Sequence, residues 1–386
     1  MARADGPMRG LGAATDMPLD VVVVGASLAG SAAGLVLARS GARVALVDRA
    51  AFPRPKTCGD LLSPDGVAAL ARLGIESAVR AAGAATIRRF ALVRPDGGRV
   101  AGRLPAPALS LSRERLDALV LDGARAAGAG AHLGETVVSI DGSLPRGFVV
   151  RTTARTLETR AVLGAWGRYS PLDGRLGRPF FGTPAPLFGF KRFLAGEAGR
   201  RFHDRAVLHV FRGGYLGLSL VEEGRVSLGA LAGPEVAKEA HHDLDRLLAR
   251  LAAASPGLAA DLEGLAPEPG PTLVSEPVHL GRRGALLGDL LLAGDAAGVV
   301  DPYTGSGMAL ALRTGEAAGT LLAELAAGRF GAESLAERWE RRWREVTGGV
   351  YFFSRLFRPV FLGGMATRFV VPATAPLAGL AARLTR

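Results

Sequence analysis

The sequence is poor in cysteine, histidine and aromatic residues, and each shortage excludes a class of protein. Its 386 residues include one cysteine, Cys58, which rules out an internal disulfide and a cysteine-rich metal centre. Its six histidines form no H-x-x-x-H or H-E-x-x-H pattern, so no metal site is expected. The scarcity of thiols fits a reducing compartment, and we expect a cytoplasmic protein.

Acidic residues are outnumbered, and the basic excess comes almost entirely from arginine. The 47 basic and 36 acidic residues give a formal net charge of +11. The basic residues are scattered, and the aromatic residues, 6% of the chain, are not interleaved with them as in nucleic-acid binding proteins. We therefore expect no nucleic-acid partner. The hydrophobic content of 48% suits a protein that takes a hydrophobic small-molecule substrate or contacts a membrane surface.

One charge-free run is long enough to raise the question of a membrane span. The residues from Val21 to Ala38 read VVVVGASLAGSAAGLVLA, which is at the lower edge of a spanning length. Their order argues against a span, because four valines predict a buried strand, the small residues a tight turn, and the remainder a helix. A second apolar strand follows and ends at Asp48. This order is the dinucleotide-binding βαβ arrangement.

The turn of this unit departs from the G-x-G-x-x-G pattern at one position. Gly25 and Gly30 are present, whereas Ser27 stands where the middle glycine is expected. Such a turn lets backbone N–H groups and the helix N-terminus reach a pyrophosphate, and the acid after the second strand accepts ribose hydroxyls. Serine is small enough to keep that approach open.

A second cofactor signal lies far downstream. Residues 290–319 read LLLAGDAAGVVDPYTGSGMALALRTGEAAG. A short apolar strand ends at Asp295, a loop carries Asp301 and Pro302, and Gly305 introduces a helix of small residues. An acid at a strand tip can hold a ribityl or ribose hydroxyl, and the N–H groups at the start of a helix face negative charge on a cofactor.

These motifs resemble the FAD-dependent oxidoreductases that include the geranylgeranyl reductases and the p-hydroxybenzoate hydroxylase type (group A) flavoprotein monooxygenases. The resemblance spans roughly residues 20–319 and includes an R-x-x-L-D segment that begins at Arg113. It implies an α/β fold, with a Rossmann-like FAD-binding domain of mostly parallel sheet, an inserted antiparallel substrate sheet and a helical C-terminal tail. It implies FAD contacts for Gly25, Ser27, Ala29, Gly30, Asp48, Arg49, Lys56, Arg113, Asp295, Pro302, Gly305, Ser306, Gly307 and Met308.

The resemblance also supplies the catalytic candidates. Residues 53–64, PRPKTCGDLLSP, are similar to the K-x-C-G loop of the geranylgeranyl reductases, which lies beside the flavin in those proteins. Residues 213–231 are similar to their G-G-Y-x-W-x-F-P strand pair, although the tryptophan is missing here. The candidates are therefore Cys58, Asp60 and Tyr215.

One departure from the family bears on the electron donor. The acid of the A-D-G-x-x-S motif is replaced by Trp166, and in the monooxygenases this acid organises the loop where NADH or NADPH meets FAD. Direct reduction by a nicotinamide is therefore in question, and a separate reductase is the alternative donor. The G-W-x-W-x-I-P run of flavin halogenases is absent, and halogenation is not expected.

The motif order predicts a discontinuous cofactor domain. Hairpins are expected at 95–98 and 222–224, where turn residues separate strand-like runs. The expected organisation is a flexible N-terminal tail at 1–18, an FAD-binding domain at 19–80, 105–180 and 284–330, a substrate-binding domain at 81–104 and 181–283, and a C-terminal helical segment at 331–386.

The last residues, 350–386, combine apolar side chains with regularly placed arginines. Breaks are expected at Pro359, at Gly363-Gly364 and at Pro372, so the segment does not predict a spanning helix. The simplest interpretation is a cover for the substrate domain. The alternatives are peripheral contact with anionic lipid and the wall of a tunnel for a lipid-like substrate.

The sequence leaves the reaction open. A monooxygenase, in which a flavin C4a-hydroperoxide hydroxylates or epoxidises a hydrophobic aromatic, polyketide-like or isoprenoid molecule, is favoured. The alternative is a geranylgeranyl reductase-type enzyme that saturates C=C bonds of a polyprenyl substrate. The K-T-C-G loop favours this alternative. Ser27 and Trp166 also leave room for a non-catalytic FAD-binding partner protein.

Overall fold

The structure, a computed structural model, describes residues 19–178, 187–275 and 277–362. The predicted flexible tail at 1–18 and the part of the predicted helical segment after residue 362 lie outside these ranges. The strands are β1 Leu19–Val24, β2 Val44–Asp48, β3 Leu61–Leu62, β4 Ala85–Val93, β5 Arg99–Ser110, β6 Gly130–Leu133, β7 Val137–Ser143, β8 Gly147–Thr152, β9 Thr156–Gly164, β10 Phe188–Ala195, β11 Arg205–Phe211, β12 Gly214–Leu220, β13 Val226–Ala232, β14 Ala266–Pro267, β15 Leu273–Val274, β16 Gly281–Arg282, β17 Leu286–Leu287, β18 Leu290–Leu292 and β19 Gly298–Val299. The helices are α1 Leu28–Arg39, α2 Pro64–Arg72, α3 Glu76–Ala81, α4 Arg113–Ala126, α5 Pro171–Arg175, α6 Pro234–Glu239, α7 Leu244–Ala254, α8 Pro256–Leu262, α9 Gly307–Ala326 and α10 Leu335–Leu362.

The first sheet is the predicted Rossmann-like sheet. Its strand order is β17-β18-β9-β1-β2-β6, and β7 and β8 continue from β9 as antiparallel neighbours. β1 runs parallel to both β2 and β9, and β6 and β18 extend the parallel part. The valines of β1 are buried because they lie in the centre of this sheet. The βαβ interpretation of residues 19–48 is therefore confirmed.

The helices α1 and α9 pack closely against each other, and two glycines of α9 explain how. A Cβ on Gly315 would lie 2.1 Å from the carbonyl oxygen of Ala29, and one on Gly319 would lie 2.8 Å from that of Ala33. No side chain fits in that space. The contact brings the two cofactor motifs, which are more than 250 residues apart in sequence, to the same edge of the sheet.

The second sheet is mainly antiparallel, in the order β14-β10-β13-β12-β11-β4-β5-β3 with β15 against β10. Both predicted hairpins are present, between β4 and β5 and between β12 and β13. The expected domain boundary at 104/105 falls inside β5, and β3 joins this sheet although it lies within the expected FAD-binding segment 19–80. The reason is that one long strand, β5, carries the chain from the second sheet back to α4.

The last described element is the 28-residue helix α10. It packs along α9 and touches β11 and β12. The expectation of a break at Pro359 is wrong, because the helix continues to Leu362. Proline removes the bond to the carbonyl four residues earlier, and here this loss falls in the last turn of a long helix. Within the described ranges, no helix combines the length and the apolar composition needed to cross a membrane.

Candidate active site

The turn between β1 and α1 leaves helix N–H groups open at the sheet edge. Gly25 has a φ of +107°, and a Cβ there would lie 2.3 Å from the carbonyl oxygen of Ala165. The first hydrogen bond of α1 runs from Ser31 N–H to the Ser27 carbonyl at 2.8 Å, and the Ser27 hydroxyl caps none of the earlier N–H groups. The first turn of α1 can therefore receive an anion.

The Ser27 hydroxyl instead joins three charged side chains. It donates to Asp117 Oδ2 at 2.7 Å and accepts from Lys56 Nζ at 2.8 Å and Arg113 Nη2 at 3.1 Å. Arg113 Nε also donates to Asp117 Oδ1 at 2.8 Å. This arrangement explains how serine is accommodated at the position of the middle glycine: its side chain turns toward α4 and away from the helix N-terminus.

The charges of this cluster favour the binding of an anion. Burial, together with the charges of Arg113 and Arg54, lowers the pKa of Lys56 to about 8. Burial alone would raise the pKa of Asp117, but Arg113 and Lys56 outweigh it and lower that pKa to about 2. Two cations therefore share one carboxylate, and a phosphate can supply the missing negative charge.

Asp117 is a site residue that sequence reasoning missed. It is completely buried on α4, one turn after Arg113. The signal was present in the R-x-x-L-D segment, since an acid four residues after an arginine lies on the same face of a helix.

The other end of the nucleotide site lies at Asp48. Its carboxylate accepts hydrogen bonds from the Ala26 N–H at 2.8 Å and the Ala50 N–H at 2.9 Å, and Arg54 lies 3.7 Å away. Asp48 therefore holds the glycine turn in shape besides being the expected ribose acceptor. Arg49 follows Asp48 directly and is exposed, and its expected contact with the cofactor stays a prediction.

The second motif meets the first through small residues. Gly294 has a φ of +59° and its N–H donates to Thr314 Oγ1 at 3.0 Å, while a Cβ there would lie 3.0 Å from the Cβ of Ala29. Asp295 follows, half-buried, and its charge acts on Lys56. The predicted ribityl acceptor and the phosphate cluster thus face the same cleft.

The loop between Asp295 and α9 leaves open space at the expected isoalloxazine position. Gly305 adopts a φ of +64°, and neither it nor Gly307 has any atom within 4 Å of an added Cβ. Pro302 begins a short turn, and the Ser306 N–H donates to Thr304 Oγ1 at 3.2 Å. Met308 is buried in the first turn of α9. A flat ring system could lie against this loop.

The loop that contains Lys56 and Cys58 carries two catalytic candidates, Cys58 and Asp60, and their surroundings differ. Cys58 Sγ lies 3.9 Å from Met308 Sδ, at the start of α9, and it also interacts with Arg113. Asp60 is 1% exposed and paired with Lys191. Its remaining acceptor positions take the Ser227 hydroxyl at 2.9 Å and the Arg113 N–H at 3.1 Å. Asp60 is therefore tied into the protein by a buried ion pair, whereas Cys58 is half-buried beside the start of α9.

Tyr215 is buried in a small apolar cluster between the second sheet and the loop after Asp295. It is 7% exposed, and its hydroxyl has no hydrogen-bond partner among the described residues. Burial, with Asp301, Tyr303 and Cys58 nearby, raises the pKa of its phenol well above the usual value. A buried phenol without a partner is costly unless a ligand provides one.

The side chain of Trp166 is held in place by a hydrogen bond and by packing within the protein. Its Nε1–H donates to Asp173 Oδ1 at 3.2 Å, and its ring lies where a Cβ on Gly164 would be, 2.3 Å from the nearest ring atom. Asp173 is also paired with Arg178 and Arg283. The tryptophan thus anchors the chain after β9 to a buried ion cluster, and Gly164 makes room for it.

These observations test the fit of FAD, an elongated molecule with two phosphates. The open N–H groups of α1 lie beside the cations around Ser27, the charge of Asp295 acts on Lys56, and the start of α9 contacts Cys58 through Met308. The residues present fit the group.

The family comparison agrees with this geometry. Residues 18–195 match the model of the FAD binding domain. A menaquinone reductase of Mycobacterium tuberculosis (strain ATCC 25618 / H37Rv) is 32% identical over 348 residues, which cover 84% of this chain and 82% of that protein. A digeranylgeranylglycerophospholipid reductase 2 of Methanopyrus kandleri is 28% identical and covers 89% of this chain and 87% of its own length.

An oxygenase is also similar, over a shorter stretch. The 6-methylpretetramide 4-monooxygenase of Streptomyces rimosus is 36% identical over 172 residues, 42% of this chain and 41% of that protein. Among solved structures, the flavin-dependent brominase Bmp2 triple mutant superposes with a TM-score of 0.77 at 18% identity, covering 94% of this chain and 95% of that one. This last likeness concerns the fold alone.

Proposed function

Because the chain belongs to the FAD-dependent oxidoreductases that share this FAD-binding domain, we propose that it reduces C=C bonds of a polyprenyl lipid. The sequence alone favoured oxygenation. The similarity along the chain favours reduction, because two relatives that match over more than four-fifths of their own length are named reductases. The relative named a monooxygenase matches over 41% of its length.

The observation that carries the proposal is that a thiol and a phenol both lie beside the segment 299–308 at the expected flavin position. Cys58 lies against Met308 at the start of α9, whereas Tyr215 packs with Val299 and Tyr303, and its hydroxyl has no hydrogen-bond partner among the described residues. Saturating a C=C bond requires a hydride at one carbon and a proton at the other. A thiol or a phenol can deliver that proton, and neither side chain is held in a buried ion pair as Asp60 is.

When bound and reduced, FAD supplies the hydride and becomes oxidised by two electrons. The chain's own contribution is to hold the cofactor through Lys56 and Arg113 and to offer the alkene apolar surroundings. Val210, Leu231 and Val299 surround Tyr215 there and exclude water. Cys58 Sγ–H or Tyr215 Oη–H then gives its proton to the second carbon, and solvent replaces it.

The test uses the FAD-loaded protein, reduced with dithionite without oxygen and supplied with menaquinone. The expected product gains two hydrogens and keeps them after re-oxidation in air. Reduction of the quinone ring would also add two hydrogens, but air would remove them, so the aerated mass separates ring from chain. The Cys58→Ser and Tyr215→Phe variants should still bind FAD and should lose most of the turnover.

Monooxygenation is the second candidate, supported by the similarity to the Streptomyces rimosus enzyme. It predicts consumption of oxygen by the reduced protein together with substrate, and a product heavier by one oxygen atom. A product with neither change, from protein that holds FAD fully, would overturn both reactions and leave the non-catalytic partner hypothesis.

For the electron donor we propose a separate reductase. The support is Trp166, whose indole is committed to Asp173 where the family carries a free acid. NADH and NADPH, mixed with the FAD-loaded protein without oxygen, should leave the flavin absorbance unchanged over the time in which dithionite bleaches it. Rapid bleaching by either nicotinamide would overturn this part of the proposal.

A further inference from the structure

The end of α10 exposes apolar side chains on one face. Phe352 is 65% exposed and Leu356 is 57% exposed, and together with Val274 they are the exposed large hydrophobic residues among those whose side chains the structure describes. Phe352 and Leu356 are four residues apart, so they lie above one another on the helix surface. Arg355, which is also exposed, lies between them in sequence.

The charged residues of the sequence after Glu345 are all basic. Glu345 is the last acidic residue of the sequence, and residues 346–386 contain five arginines and neither aspartate nor glutamate. Apolar side chains flanked by arginine are complementary to a bilayer that carries anionic headgroups, because the ring and aliphatic groups enter the interface while the guanidinium groups pair with phosphate.

The opposite face of this helix turn holds the loop at the expected flavin position. Ser354 Oγ donates to Asp301 Oδ2 at 2.7 Å and accepts from the Asp301 N–H at 3.2 Å. The Tyr303 hydroxyl donates to the Ser354 carbonyl oxygen. The exposed apolar face therefore lies one helix diameter or less from the loop that precedes α9.

We propose that the end of α10, through Phe352, Arg355 and Leu356, docks on the surface of an anionic membrane. Docking there would bring the apolar cluster around Tyr215, which Tyr303 joins to Ser354, near the bilayer, so that an apolar substrate could approach without crossing water. The proposal concerns binding and stands whichever reaction the protein performs.

Vesicle flotation of the FAD-loaded full chain tests it. Vesicles of phosphatidylcholine with one-third phosphatidylglycerol should carry the protein, pure phosphatidylcholine vesicles should carry much less, and high salt should release it. The double variant Phe352→Ser/Leu356→Ser should bind the anionic vesicles roughly tenfold or more weakly. Arg355→Gln should weaken binding about fivefold.

The matched control is Val274→Ser, which removes an exposed apolar side chain from the edge of the second sheet and should leave vesicle binding unchanged. FAD content and the thermal midpoint of each variant check that it has folded. Equal binding of the double variant and the unaltered chain would overturn the proposal. So would a change of oligomeric state in the double variant without a loss of vesicle binding, because the face would then contact a second copy of the chain.

Discussion

Lys191 and Asp60 form a buried ion pair that joins the second sheet to the loop carrying Cys58. The side chains are 2% and 1% exposed, and the Ser227 hydroxyl and the Arg113 N–H complete the shell of the carboxylate. Next to the pair, β13 touches the loop directly, since a Cβ on Gly229 would lie 3.0 Å from the Cα of Gly59. The pair therefore fixes the distance between the substrate sheet and the cofactor loop.

Breaking this pair on one side should destabilise the protein strongly. Asp60 has a φ of +58°, a conformation that asparagine tolerates, so Asp60→Asn removes the charge without straining the backbone. It leaves the Lys191 ammonium buried without an anion, and we expect a loss of about 3–5 kcal/mol in the free energy of unfolding. Urea unfolding of the FAD-loaded variant measures it.

The control for that experiment removes both charges. Asp60→Asn combined with Lys191→Met should recover a large part of the loss, because no unpaired charge remains. If Asp60→Asn instead left stability unchanged and abolished turnover, Asp60 would be the catalytic base that the sequence suggested rather than a structural anion.

The site shows which contacts a sequence can and cannot reveal. Gly25, Gly30 and Asp48 were predictable because their spacing within one βαβ unit is set by a local backbone path. The pairing of Lys191 with Asp60 was not, because it joins residues 131 positions apart and neither residue type has a fixed spacing for such a contact. Asp117 is an intermediate case. Its helical spacing from Arg113 could be read from the sequence, but its contact with Ser27 could not.

Lys56 should make FAD binding depend on pH. Its folded-state pKa is about 8, and a pyrophosphate favours the charged ammonium. Affinity should therefore fall as the pH rises above 8, by up to about tenfold per pH unit. Titration of the apoprotein with FAD between pH 7 and 10, followed by flavin fluorescence, measures this. Lys56→Met should bind FAD more weakly at pH 7 and show no such slope.

Lys56 should also lower the free energy of unfolding of the apoprotein. Because its folded pKa lies below the ordinary value of 10.5, the unfolded chain holds more protons between pH 8 and 10.5, and stability should rise with pH across that window. Below pH 8 the penalty is fully present. Lys56→Met should therefore raise the unfolding midpoint of the apoprotein at pH 7, and a lower midpoint would show that the bond from Lys56 to Ser27 outweighs the cost of burial.

The packing of α1 against α9 should not tolerate a methyl group. Gly315→Ala would place a Cβ 2.1 Å from the carbonyl oxygen of Ala29, so the helices must separate, at a cost of about 3 kcal/mol. Because Ala29 also adjoins Gly294, FAD affinity should fall with stability. Gly348→Ala is the control on α10, since nothing lies within 4 Å of its added Cβ, and it should stabilise the protein by about 1 kcal/mol. If Gly315→Ala and Gly348→Ala changed stability equally, the close packing of α1 against α9 would be contradicted.

Ser354 is the residue through which α10 should act on the loop before α9. Asp301 is 1% exposed, and its carboxylate and its N–H both meet the Ser354 hydroxyl. Ser354→Ala removes both bonds and keeps the helix, and loss of two bonds to a buried acid costs about 1–3 kcal/mol. We expect the loop around Gly305 to loosen and the FAD dissociation constant to rise by roughly tenfold.

Fluorescence titration with FAD measures this effect, and hydrogen exchange of residues 301–308 locates it. Thr347 provides the matched control. It is likewise buried on α10, and its hydroxyl donates to the Trp343 carbonyl within the same helix at 2.7 Å. Thr347→Ala should change neither FAD binding nor exchange in the loop, because that bond does not leave α10. An equal rise in the dissociation constant for the two variants would mean that α10 supports the loop by bulk packing and not through Ser354.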